Sequence, residues 1–130
     1  MTAYSRSSGA TCIVRVCRDC CCGTEAKHPG VDHDGLLSRL ETGAQGHARV
    51  LRSACLLACD ESNVVVVTPS AVGRRAGGRP AWLRSVLDEE TVDEITEWVA
   101  LGGPGVVAVP ASLELRAFAP SRLSLSWASL

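Results

Sequence analysis

The chain has 130 residues, enough for one domain with a real core and too few for two. Its formal net charge of -1 gives no electrostatic case for nucleic acid or an anionic membrane as partner, and no apolar run approaches spanning length. Seven cysteines, an odd number that includes the adjacent triplet Cys20–Cys22, argue against a fully paired disulfide framework and for a cytoplasmic chain with reduced, metal-binding thiols.

Residues 1–10 are polar, carry Arg6 and lack the apolar stretch of a signal peptide, so they read as a disordered lead-in. Thr11–Val16 (TCIVRV) is rich in β-branched residues and predicts a strand, followed by a loop from Cys17 to Val31 containing Gly23, Pro29 and Gly30. A helix follows, capped by Asp32 or Asp34, with Leu36, Leu37 and Leu40 as its apolar stripe and Gly43 and Gly46 to stop it. His47–Ala54 predicts a second strand, which feeds a second cysteine loop, Cys55–Asn63.

Val64–Thr68 is a continuous apolar run, the pattern of a strand covered on both faces. Pro69–Pro80, rich in Gly and Arg, reads as a mobile connection, and Ala81–Leu87 as a strand carrying Trp82. A second helix over Glu90–Leu101 puts Val92, Ile95 and Val99 on one face, with Thr91 and Glu94 spaced as a capping box. Gly102-Gly103-Pro104-Gly105 ends it, Val106–Val109 adds a short strand, and residues 110–130 form a C-terminal tail. The domain proper is then residues 11–109. Its order, β-α-β-β-β-α, predicts an α/β thioredoxin-like sandwich in which helices flank a mixed sheet.

The cysteines fall into two groups, Cys12, Cys17, Cys20, Cys21 and Cys22, then Cys55 and Cys59, each following a predicted strand. Loops at strand ends let several thiolates converge on one point. A [2Fe–2S] cluster needs four ligands, two on each iron, and Cys55-x3-Cys59 supplies one close pair. Cys17-x4-Cys22 supplies the other, and Gly23 directly after it lets backbone N–H groups approach a sulfur. The plant-type ferredoxin spacing fails at Glu25 and the bacterial run fails at Gly23. Two rivals use the same sulfurs. A zinc-stabilised interaction module is compatible with Cys17-x2-Cys20 and, with slight strain, Cys55-x3-Cys59; a thiol–disulfide oxidoreductase would use Cys17 and Cys20 but leaves Cys55 and Cys59 unexplained.

With Cys17-x4-Cys22, 32 intervening residues, Cys55-x3-Cys59, then VVVVTP (64–69), the Trp82 strand and DEETVDEITEWV (88–99), the chain resembles the thioredoxin-like [2Fe–2S] ferredoxins. That family includes the small thioredoxin-fold subunit of respiratory NADH dehydrogenase. The resemblance spans about residues 10–109. It implies a cluster near the surface in loops after two strands, one-electron exchange with a redox partner protein, and a homodimer, as in the free-standing ferredoxins of the family. Its ligands here would be Cys17, Cys22, Cys55 and Cys59; the second ligand is open among Cys20, Cys21 and Cys22, and Cys22 matches one branch of the family.

No acid/base pair or nucleophile–base constellation is supported by spacing, so the expectation is an electron carrier or redox sensor without a catalytic site of its own. Cys12, inside a strand, reads as a small core residue, and Cys20 and Cys21 as unligated. His28, His33 and His47 read as solvated surface groups, Trp82 and Trp98 as core aromatics. The acidic run Asp88, Glu89, Glu90, Asp93, Glu94, Glu97 suits either a basic redox partner or simply the positive end of a helix dipole.

Overall fold

The computed structural model of the chain describes residues 11–18, 23–53 and 61–122. The β-branched run at the start folds as strand β1, Cys12–Cys17, the predicted length shifted one residue toward the C-terminus. Helix α1, His33–Gly43, is capped by Asp32, whose carboxylate accepts from the Gly35 N–H at 3.0 Å. Strand β2, Ala48–Ser53, lies parallel to β1, with Cys12 opposite Ala48 and Cys17 opposite Ser53. Strand β3, Val65–Thr68, runs antiparallel to β1, and β4, Ala81–Leu83, antiparallel to β3. The result is a mixed α/β domain with a four-stranded sheet in the order β2-β1-β3-β4.

Period-two alternation in β1 sorts its side chains. Cys12, Val14 and Val16 point to one face, where they join Val65, Val67 and Leu83 under α1 and the long helix α3, Glu89–Ala100. From the helices come Leu36, Leu37, Leu40, Val92, Ile95, Trp98 and Val99, the apolar stripes visible in the sequence. Each such side chain, fully buried, contributes roughly 1.5–3 kcal/mol relative to exposure. Arg39 on α1 adds an exposed bidentate pair with Asp93 on α3, at 2.7 and 2.8 Å. All four residues of β3 are buried, in line with a strand covered on both faces.

Strand β4 stops at Leu83, four residues short of the predicted Ala81–Leu87, and local chemistry departs from the sequence reading in three further places. The connection after β3 contains a short helix, α2, Ala71–Arg75, because the Ser70 hydroxyl accepts from the Gly73 N–H at 3.0 Å. Helix α3 is capped by Asp88, which accepts from the Thr91 N–H at 2.8 Å, rather than by a Thr91–Glu94 box: Thr91 already lies inside the helix and is buried. Finally, 106–109 is no strand. Gly102 and Gly103 have positive φ, the Gly103 N–H returns to the Trp98 carbonyl, and the Trp98 indole donates to the Val107 carbonyl at 3.0 Å, so the chain turns back on α3.

Beyond it, α4, Ala111–Glu114, leads to an isolated antiparallel bridge between Ala117 and Leu83, and Phe118 meets Trp82 edge-on at 6.1 Å. Trp82 and Trp98 are both buried, as expected of core aromatics. Among the described residues no helix is long and apolar enough to cross a membrane.

Candidate metal centre

Cys17 is the last residue of β1 and only 2 % exposed, so it belongs to the strand rather than to the loop after it. Its N–H donates to the Val64 carbonyl at 3.1 Å, and the next N–H, of Arg18, donates to Ser53 at the end of β2 at 3.0 Å. Cys22, Cys55 and Cys59, along with Cys20 and Cys21, lie outside the described residues. Among the described residues, no group of three or more His, Cys, Asp or Glu is arranged to hold a metal ion. Cys12, by contrast, is a core thiol: it is fully buried, burial pushes its pKa up, with a hydrogen bond from the Ser70 backbone pulling partly the other way, and its Sγ–H donates to the Gly102 carbonyl.

Because β1 and β2 are parallel neighbours, the chain leaves both at the same edge of the sheet, and antiparallel β3 enters at that edge. Four described chain ends therefore meet there: Arg18 and Gly23 around the first cysteine group, Ser53 and Glu61 around the second.

Asn63 joins them. It is 0 % exposed, and its Oδ1 accepts from the Gly23 N–H at 2.8 Å. A backbone N–H is an obligatory donor, so this bond fixes which way the Asn63 amide faces. The Nδ2 group is then the donor toward His33 Nδ1, 2.9 Å away, and the ring must carry its proton on Nε2, which faces the His28 carbonyl at 3.3 Å. His28 Nε2 in turn lies 3.1 Å from the Ser62 hydroxyl. Gly23 itself sits at φ 77°, a left-handed conformation that favours glycine.

No protein-family model, curated protein or solved structure matches the chain. The chemistry at this edge therefore rests on its own residues.

A cation stands beside Cys17. Arg18 is 5 % exposed, and its guanidinium donates to the Cys17 carbonyl at 2.9 Å and to the His33 carbonyl at 3.4 Å. A buried positive charge lowers the cost of collecting thiolates nearby. A cleft lined by Gly23, Glu25, Val31, Asp32, His33 and Asp34 opens the same edge to solvent.

Sequence reasoning missed Arg18, His33 and Asn63. His33 is 6 % exposed and hydrogen-bonded, not a solvated surface group, and His28 is half-buried beside it; His47 is exposed, as expected. One signal was available: Asn63 is a polar residue set directly before four valines, where a buried amide must find partners.

Proposed function

We propose that the protein binds one [2Fe–2S] cluster through Cys17, Cys22, Cys55 and Cys59 and serves as a one-electron carrier or redox sensor on a thioredoxin-like domain. The observation that carries the reading is that the described residues flanking both cysteine-bearing segments meet at one sheet edge, because Cys17 and Ser53 are register partners on adjacent parallel strands. Cys22 immediately precedes Gly23, Cys55 is two residues beyond Ser53, and Cys59 is two before Glu61.

The donor set fits such a group. Four thiolates suit iron, and a four-thiolate cluster is anionic, which the buried Arg18 guanidinium offsets. When bound, the cluster supplies reversible one-electron transfer. The chain's own residues do the rest. Asn63 holds Gly23, and through it the end of the first cysteine segment, while the parallel ladder from β1 to β2 keeps the origins of the two segments a strand spacing apart. The sheet order β2-β1-β3-β4, with a helix between β1 and β2 and another after β4, supports the thioredoxin-like arrangement. The burial of Cys17 speaks against the dithiol alternative, since an attacking thiolate needs access.

Anaerobic purification with a visible spectrum and metal analysis tests the reading. A red-brown protein with about two irons and two sulfides per chain supports it. A colourless protein containing zinc, or one lacking metal, overturns it.

A further inference from the structure

The sheet face turned away from α1 and α3 carries a concentration of arginine that the cluster reading does not use. Arg15 points to this face, and its guanidinium donates to the Thr68 hydroxyl at 3.2 Å. Ile13 lies two residues before it on the same face, with Thr68 as its partner on β3 and Arg49 as its partner on β2. Next to Ile13 runs a groove of about 480 Å³ lined by Thr11, Ile13, Pro69, Ser70, Ala71, Arg74 and Arg75. Arg74 and Arg75 line the groove over Ile13 and Pro69, while Arg15 and Arg49 share the sheet face with Ile13, one two residues along β1 and the other opposite it on β2. Val72, 44 % exposed, extends the apolar surface on α2.

None of the four has a carboxylate in ion-pair contact among the described residues, whereas Arg39, Arg84 and Arg116 all do. The exposed acids Glu90 and Glu97 sit on α3, which packs on the opposite face of the sheet. Arg15, Arg49, Arg74 and Arg75 thus leave a local excess of positive charge in a chain whose formal total is only -1.

We infer that this groove docks an acidic segment of a partner protein, one in which carboxylates alternate with apolar side chains. Guanidinium groups pair with carboxylates in bidentate fashion, and an extended segment presents alternate residues to opposite sides, apolar ones to the Ile13 floor and acids to the arginine rim. A small phosphate compound fits less well: such sites need convergent, desolvated donors, and Arg49, Arg74 and Arg75 are exposed. An extended polyanion fits less well again. The net charge gives no long-range attraction, while a short acidic segment feels mainly the arginines within a Debye length of about 10 Å. The inference does not depend on a cluster being bound.

The test uses the full chain, labelled with ¹⁵N, and a synthetic peptide of about eight residues alternating glutamate and leucine, long enough to present several residues to each side. In low salt the peptide shifts the amide resonances of Ile13, Thr68 and residues 70–75, and added salt weakens it. Arg74→Glu weakens binding about fivefold or more, while Lys27→Glu, the same charge change on an exposed turn, leaves it within about twofold. If Arg74→Glu does not fold, Arg75→Gln replaces it, with a loss of about twofold or more expected. Four results overturn the inference: no binding, a footprint elsewhere, equal weakening by Lys27→Glu, or tighter binding of inorganic pyrophosphate or single-stranded DNA to the same residues.

Discussion

Replacing Asn63 by alanine removes the side chain that joins the two cysteine-bearing segments, and its effect can be worked out bond by bond. The amide of Asn63 is fully buried, accepts from the Gly23 N–H at 2.8 Å and donates to His33 Nδ1 at 2.9 Å. Alanine leaves both partners unmatched, and an unsatisfied buried polar group costs about 1–3 kcal/mol. Gly23 is only half-buried, so its N–H can turn to water and falls at the low end; His33, at 6 % exposure, falls higher. The sum is about 2–5 kcal/mol, a large share of the roughly 5–15 kcal/mol that holds a domain together. Urea denaturation of the variant and the parent, followed by tryptophan fluorescence, reads the loss. Hydrogen exchange at the Gly23 amide reads its location, and ¹⁵N spectra of the parent should find the His33 proton on Nε2. A loss below about 1 kcal/mol together with unchanged Gly23 protection would refute the claim that Asn63 joins these segments.

Three further outcomes follow from the same structure. Serine at Cys17, Cys22, Cys55 or Cys59 abolishes the visible cluster absorption, whereas serine at Cys12, Cys20 or Cys21 keeps it; retained colour in any of the first four contradicts the ligand set. Asp88→Ala removes the α3 cap and costs about 0.5–1 kcal/mol at neutral pH, the low end for caps because the side chain is half exposed. The hydrogen bond to Thr91 holds the Asp88 carboxyl below its ordinary pKa, so this stabilisation is fully present above about pH 4 and is lost as pH falls through the lowered value. Thermal melts of both proteins should therefore converge in acid, and a gap that persists there contradicts the cap. Gly73→Ala, normally stabilising within a helix, instead destabilises by about 1–3 kcal/mol, because the new methyl would meet the Pro104 backbone carbonyl; a raised melting temperature would disprove that contact.

What sequence alone could establish about this chain is what depends on spacing along one strand or helix. Alternation in Thr11–Val16 and the leucines at 36, 37 and 40 specify which side chains face a core, because periods of two and 3.6 residues are local properties of the backbone. The four valines at 64–67 likewise announce a strand buried on both faces. Capping was less legible. Asp32, Ser70 and Asp88 all cap helices, but Asp34 and Thr91 looked equally suitable, and only the backbone path shows which side chain meets an orphan N–H.

The parallel pairing of β1 with β2, which ends Cys17 beside Ser53, brings together residues far apart in sequence, and no local pattern encodes such a register. The same holds for Asn63 and its partners. An amide looks solvated in a sequence, and its burial between Gly23 and His33 follows from strand order. Cysteine spacing therefore suggested a ligand set, while the tertiary structure decided which chain ends share an edge, because hydrogen-bonded strands fix positions in space that spacing along the chain leaves free.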